Sequence, residues 1–311
     1  MKRIAIIGAG ISGLSCAREL QANGWKTTVF EKSRSLGGRC ATRRWEEHIV
    51  DHGAQYFTIR NAAFEAAIGE LCGEWIRPIS ASVHDLDEGE LPVRGPRFYH
   101  LHGNNRLGKA LAEGLDVRQQ THLPAGSLRQ FEGELMGESF DCVVCTIPFP
   151  QACVLLGRPE PPISYTRCLT AFFSYDQEPG GVSASRYGLR DTNGALAWSA
   201  CENHKRDRIR AGQSVFVAQA SREFSAAYFE TSPEVWTAKL RSQLEEYWEV
   251  SMKRRKAWFA HRWGFARRVS PTTVGALPEG VFIAGDSVTE SRIESVWLSG
   301  AKMARELMEK K

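Results

Sequence analysis

Near its start the chain runs from a short apolar stretch, Arg3 to Ile7, directly into Gly8, Gly10 and Gly13 at the spacing G-x-G-x-x-G. Such a stretch reads as a strand buried on both faces of a parallel sheet. Ile11 to Asn23 continues as a helix, and a second apolar run, Thr27 to Phe30, ends in Glu31. Each piece has a mechanical job. Gly8 allows the tight turn, Gly10 lets backbone approach a pyrophosphate, and Gly13 lets helix and strand pack closely. Phosphates would meet the helix N-terminus, where free N–H groups and the dipole favour negative charge. Glu31 can accept hydrogen bonds from a ribose 2′-hydroxyl and would repel a 2′-phosphate. An ordinary glycine-rich turn would not explain why an acid closes the second strand. The order of strand, triplet, helix, strand and acid predicts dinucleotide binding.

The 311 residues exceed one typical domain, so two lobes are expected. Hydrophobic residues at 42% and charged residues at 24% describe a globular chain with a substantial core. A net charge of +4 suits small anionic ligands but falls short of a nucleic-acid binder. Two basic clusters, Lys205 to Arg210 and Lys253 to Lys256, read most simply as solvated surface. The eight cysteines lack the spacing of a disulfide framework, which points to a reduced, cytoplasmic setting. Cys142 and Cys145 form C-x-x-C inside an apolar strand, where residues three apart face opposite ways, so both read as core. No spacing suits a metal site. Lys2 and Arg3 ahead of apolar residues imitate a signal peptide, but glycines break the stretch. No run approaches membrane-spanning length.

After Glu31, Ser35 to Arg39 form a Gly-Gly turn leading into a basic stretch. A simple NAD-binding unit has no need of this second turn, whereas the extended pyrophosphate of a flavin dinucleotide gains from an arginine contact. Val50 to Phe57 reads as a strand end, a glycine and a polar-aromatic cluster, suited to close approach by a flat ring. Asn61 should cap a helix to about Cys72. Short segments at Trp75–Ile79, Ser82–Leu86, Leu91–Val93 and Arg97–Leu101 read as antiparallel strands. Leu107–Ala112 is a short helix, Val117 to Phe140 is hairpin-like, and Phe140 to Ile147 is a buried strand returning to the first sheet. A second excursion follows, with strands at Leu169–Tyr175, Ala195–Cys201, Ser214–Ala220 and Lys256–Trp263 and a helix from Ser232 to about Trp248. Val281 to Asp286 makes a third return, and a helix runs from about Ser295 to Met308.

These motifs together resemble the flavin-containing amine oxidase superfamily, and within it the bacterial renalase-like proteins. The matching segments are IAIIGAGISGLSCA, EKSRSLGGRCATRR, VDHGAQYFTIRNAAF, VVCTIPFPQA, AHRWGFAR and IAGDSVTESRIESVWLSGAKMA. The resemblance implies an α/β fold: a FAD-binding Rossmann-type domain of the glutathione-reductase type, interleaved with an α+β substrate domain carrying an antiparallel sheet. This is the two-domain plan of p-hydroxybenzoate hydroxylase. The expected division is 1–57, 104–158 and 264–311 for the FAD-binding domain, and 58–103 and 159–263 for the substrate domain.

Carried onto this chain, the resemblance gives Gly8, Gly10, Ile11, Ser12 and Gly13 to the FAD pyrophosphate, and Glu31 with Lys32 beside it to the adenosine ribose. It gives Gly38 and Arg39 to the phosphate and ribityl region, and Gly53, Ala54 and Gln55 to the edge of the isoalloxazine. Gly285 and Asp286 fall at the ribityl or pyrophosphate end. Trp297, Leu298 and Ser299 match a helix start aimed at flavin N1 and O2, with Glu294 and Arg292 flanking it. The Leu123 neighbourhood matches an adenine contact through backbone. The last cysteine is Cys201, so no thiol lies near the C-terminal motif and the FAD is expected to be non-covalent.

The resemblance implies an oxidase that takes hydride from a substrate carbon at flavin N5 and passes electrons to dioxygen, giving hydrogen peroxide. Its implied substrates are the 2- and 6-dihydro isomers of NAD(P). Amine oxidation is the alternative, with Tyr56, Phe57, Trp198, Trp263 and Trp297 available for an aromatic cage. A FAD-binding protein without turnover is a third reading. Gln55, Tyr56, His261 and Trp297 are the candidate active-site lining. His261 lies in a strand-like, aromatic run and reads more as a hydrogen-bonded structural histidine than as a general base. Neither a nucleic acid nor a membrane is expected as a partner.

Overall fold

A computed structural model describes residues 1–92, 95–159, 165–250, 254–269 and 273–310. Its first sheet has five parallel strands in the order Val281–Ile283, Cys142–Cys145, Arg3–Ile7, Lys26–Phe30 and Asp116–Arg118. Alternation along the strands splits the core in two. Ile4, Ile6, Cys142 and Val144 face one apolar cluster, while Ala5, Ile7, Val143 and Cys145 face the other. The C-x-x-C pair is therefore core on opposite faces. Burial pushes the Cys145 thiol up to about 12.

The Ile11–Ala22 helix packs on one face beside the C-terminal helix Ile293–Glu309. Two glycines set that approach. A Cβ on Gly13 would lie 2.0 Å from the Gly8 carbonyl oxygen, and one on Gly300 would lie 2.1 Å from the Ser12 carbonyl oxygen. Only glycine allows backbones so close.

The second sheet has seven strands in the order Arg255–Arg268, Tyr165–Tyr175, Ser214–Ala220, Leu196–Cys201, Arg186–Arg190, Ser82–Asp85 and Gly89–Glu90. One face is covered by the helices Arg222–Tyr228 and Pro233–Tyr247, through Phe224, Trp236, Leu240 and Leu244. The other face, carrying Phe172, Val215 and Val217, packs on Val50.

Several expectations change here. Ile76–Ile79 pairs antiparallel with Arg97–His100, and Ser82–Asp85 with Gly89–Glu90, as expected. Ser82–Asp85 also pairs parallel with Arg186–Arg190, a strand the sequence does not announce, and so enters the large sheet. Leu91 lies outside any strand, and Val93 falls outside the described residues. Val117–Phe140 is not hairpin-like throughout: Asp116–Arg118 is a parallel edge strand, and only Glu134–Leu135 pairs with Glu138–Ser139. Pro148 opens a helix, Phe149–Leu155, instead of merely closing a strand. The Arg255–Arg268 strand runs past the boundary expected at 263.

The largest correction concerns the Lys205–Arg210 cluster. Lys205 and Arg208 are wholly buried, not solvated. The Lys205 Nζ lies 3.0 Å from Asp51 and 2.7 Å from Glu202, and the Arg208 Nη1 lies 2.6 Å from Asp51. Arg206 and Arg210 of the same run are exposed, as expected. Of the second cluster, Lys253 lies outside the described residues, while Arg254 and Lys256 are exposed.

Candidate functional site: a glycine cradle and an aromatic face

The first strand ends at Gly8, whose φ of +102° and N–H bond to the Phe30 carbonyl turn the chain toward the helix. Gly10 follows in extended backbone, and a Cβ there would meet nothing within 4 Å. Beside it sits the Gly-Gly turn: Gly10 bridges Gly37, and a Cβ on Gly38 would lie 3.3 Å from the Gly10 Cα. Gly108 seals the turn from below, where a Cβ would lie 2.4 Å from the Gly37 Cα. The N–H groups of Ile11, Ser12 and Gly13 belong to the first helical turn, which has no intrahelical acceptors. The Ser12 Oγ is buried without a partner. Open space over Gly10, free donors and an unpaired hydroxyl fit an anionic diphosphate.

Glu31 is buried at the end of the second strand, accepting from the Ala9 N–H at 2.8 Å and the Ser33 N–H at 2.7 Å. One carboxylate thereby ties the glycine loop to the following turn and keeps lone pairs for a ligand. Lys32 beside it is exposed. Leu123 is partly buried against the core near Phe30.

Arg39 and Asp286, expected separately along a ligand, are bonded to each other. The Arg39 guanidinium also donates to the Ala266 carbonyl, and Asp286 accepts from Tyr165 and Ser291. Burial pushes the Asp286 carboxyl upward, but the Arg39 bond and charge outweigh it and hold it below its usual range. Gly285 donates its N–H to the Ser299 Oγ at 3.0 Å.

The C-terminal helix begins at Ile293, not Ser295, with Arg292 as its cap. Trp297, Leu298 and Ser299 therefore sit in the second turn, where backbone N–H groups are used within the helix. The free donors at this helix start belong to Ile293, Glu294 and Ser295. Glu294 sits in the first turn of this helix, and its carboxylate accepts from the Arg60 and Asn61 N–H groups at 2.6 and 2.7 Å. It holds the start of the Ala62–Cys72 helix, which Asn61 caps through the Ala63 and Phe64 N–H groups. Arg292 lies 3.7 Å from Glu294, so the two do pair.

Gly53 to Gln55 lie between the two sheets. A Cβ on Gly53 would collide with the Arg39 carbonyl at 2.1 Å. Gln219 of the large sheet donates to the Gly53 carbonyl, and Trp263 donates to the His52 carbonyl. The Tyr187 hydroxyl donates to the Gln55 carbonyl. Beyond this segment lie two ring groups. Tyr56, Tyr187 and Trp198 form one, with centroids 5.8 to 6.4 Å apart. His52, Phe259, His261 and Trp263 form the other, with His261 4.3 Å from Trp263 and 5.1 Å from His52. Burial, with His261 next to it, pulls His52 down to about 4, and burial lowers His261 as well. Both imidazoles are neutral at pH 7 and able to accept a proton.

Of the four expected lining residues, Gln55, Tyr56 and His261 meet around the 52–56 segment. Trp297 packs against Phe64 instead, at 5.6 Å, on the core of the first sheet. His261 stacks within a ring cluster and takes no hydrogen bond among the described residues. His52, Tyr187, Phe259 and Gln219 were not expected. A period-two reading of Phe259, His261 and Trp263 would have placed those three on one face.

Residues 6–71 match the family model of the NAD(P)-binding Rossmann-like domain. A protein from Exiguobacterium sp. 255-15 described as a protoporphyrinogen oxidase superposes with a TM-score of 0.83 at 16% identity, covering 100% of this chain and 99% of that one. Putrescine oxidase superposes with a TM-score of 0.74 at 13% identity, covering 99% of each chain. The chain shares the fold of these two proteins over its whole length. Sequence likeness to the mitochondrial protoporphyrinogen oxidase of Nicotiana tabacum is 42% over 57 residues, 18% of this chain and 11% of that protein. The chain spans about a tenth of the length of the first curated relatives it matches. Within this fold the glycine cradle adjoins the Gly38–Arg39 end of the 38–56 stretch, and the ring groups adjoin its His52 and Tyr56 end. No helix among the described residues is long and apolar enough to cross a membrane.

Proposed function

We propose that the protein is a FAD-dependent oxidoreductase acting on dihydronicotinamide isomers of NAD(P). The observation that carries the FAD assignment is the empty approach over Gly10 above an unpartnered, buried Ser12 hydroxyl. The diphosphate would lie over Gly8, Gly10 and the Ile11–Gly13 donors, the adenosine ribose on Glu31, and the flavin ring beside Gly53–Gln55. Binding is non-covalent, since Cys201 lies buried in the core of the second sheet. Residues 1–57, 104–158 and the part after Arg268 form the nucleotide-binding portion, and the remainder forms the substrate portion. The eight cysteines, none joined in a disulfide among the described residues, support a cytoplasmic setting.

FAD held here would supply a two-electron acceptor for hydride, with dioxygen as the final acceptor, reduced to hydrogen peroxide. The chain's part is to bind and orient. Gln219 and Trp263 fix the 52–53 backbone, so the ring edge would meet a rigid surface. The free N–H groups at Ile293 to Ser295 favour negative charge near that end of the site. No general base is required to take hydride from a dihydropyridine, which agrees with a face whose histidines are neutral and stacked. Flat aromatic side chains on both sides suit a planar ring substrate.

Amine oxidation is the second reading, favoured by the Tyr56–Tyr187–Trp198 cluster, which could flank an uncharged amine. The deciding experiment is anaerobic bleaching of the yellow holoprotein. Micromolar 6-dihydro-NAD should reduce the flavin while phenethylamine and ordinary NADH do not. Bleaching by phenethylamine alone would select amine oxidation, and a colourless protein that refuses FAD would end both readings.

A further inference from the structure

Arg43 is an exposed arginine without a carboxylate partner among the described residues. It lies on the Thr42–Trp45 strand, with its guanidinium carbon 5.1 Å from the centre of the Phe259 ring. The acids of the adjoining turn are engaged elsewhere: Glu46 pairs with Lys256 at 3.0 Å and Glu47 with Arg210 at 3.4 Å. Phe259 begins a row along the Arg255–Arg268 strand. The planes of Phe259 and His261 are within 10° of parallel, and Trp263 adjoins His261. All three residues are half-buried; Phe172 stacks on Phe259 and His52 on Trp263, so a ligand would meet the row on the sides these rings leave uncovered. The strand pairs on one side only, with Tyr165–Tyr175, which leaves the row at the sheet's rim.

An unpaired guanidinium at the head of a row of neutral rings offers one kind of complementarity. Arginine forks onto phosphate oxygens, and aromatic faces accept a flat heterocycle. The row also runs toward His52, next to the segment assigned to the flavin ring edge. We propose that Arg43 and the Phe259–His261–Trp263 row form a subsite for the phosphate-bearing nucleotide half of the substrate. This rests on the dinucleotide reading above and specifies where the non-reacting half would sit.

The test is calorimetric titration of FAD-loaded protein with ADP, which separates this subsite from the cofactor site. Wild-type protein should bind ADP, less tightly as salt rises, and adenosine weakly. Arg43→Gln should weaken ADP binding about tenfold, and Arg43→Lys should recover part of it. No ADP binding by the wild type, or equal binding by Arg43→Gln, overturns the subsite. A kinetic arm compares 6-dihydro-NAD with the corresponding riboside. Arg43→Gln should raise KM about tenfold more for the dinucleotide than for the riboside, and an equal rise would overturn the proposal. If neither compound reduces the flavin, the substrate reading fails, while the ADP titration still decides whether Arg43 holds a nucleotide.

Discussion

The Arg208 guanidinium donates to the Asp51 carboxylate at 2.6 Å, and neither side chain has any exposed surface. Asp51 ends the strand that leads into His52–Gln55, and Arg208 lies between the Leu196–Cys201 and Ser214–Ala220 strands of the second sheet. Asp51 also accepts from the Thr42 hydroxyl and the Asn104 N–H, and Arg208 donates to the carbonyls of His100 and Leu101. Burial alone would neutralise the acid. The charges of Arg208 and Lys205 reverse that and hold Asp51 well below the usual carboxylate range. Glu202, second acid of the group, is raised by burial and by Asp51 itself.

Removing one partner from such a group strands the others in a dry interior. Arg208→Met should therefore destabilise the protein by about 3–5 kcal/mol, read as a lowered urea midpoint. A loss below about 1 kcal/mol would mean that water reaches the group.

Two neighbouring glycines should separate cofactor binding from folding. Gly10→Val places atoms in open space and should leave the melting temperature of FAD-free protein unchanged while abolishing flavin retention. Gly13→Ala, whose Cβ would sit 2.0 Å from the Gly8 oxygen, should lower stability by roughly 1–3 kcal/mol or more. Undiminished 450 nm absorbance in purified Gly10→Val would contradict the placement of the diphosphate.

Glu31→Ala should weaken FAD without altering its visible spectrum, because in the proposed binding mode the carboxylate would lie at the adenosine end. Losing charge-assisted bonds worth about 1.5–3 kcal/mol corresponds to roughly 10- to 150-fold in Kd. Some of that loss would come through the glycine loop, since Glu31 also restrains the Ala9 N–H. Full occupancy at nanomolar protein would count against the ribose role.

Acid sensitivity follows from two buried histidines. Burial, with a neighbouring histidine, brings His52 and His100 each to about 4, against a usual 6.5. Between those values the unfolded chain binds protons that the folded chain refuses. Their contribution is present above pH 6.5 and is lost as pH falls through 4. Urea denaturation across that window should show a steep decline, and His52→Gln should flatten it. Asp51 and Asp286 act in the same direction at still lower pH.

The opening strand–helix–strand unit was legible because its signals are local. Gly8, Gly10, Gly13 and Glu31 each answer to a neighbour within a few turns of chain. What escaped was long-range. A run containing Lys205 and Arg208 looks like solvated surface, because nothing nearby reveals that Asp51 will neutralise it inside a core. Ser82–Asp85 gives no hint that its partner is Arg186–Arg190, since parallel pairing is set by packing over distant segments. The C-terminal helix start was misplaced because Arg292 caps it without a side-chain hydrogen bond, leaving no Ser, Thr, Asn or Asp as a marker. That shift by two residues moves Trp297 from a free donor position into a packed turn.

The central strand Arg3–Ile7 takes its neighbour from Cys142–Cys145, which in turn borders Val281–Ile283, and Gly300 closes onto Ser12. A ribosome must therefore deliver almost three hundred residues before the first dozen are clamped in place. The glycine turn is thus braced by segments far apart along the chain, so damage to the Val281–Ile283 strand or to the helix carrying Gly300 would loosen the turn as well.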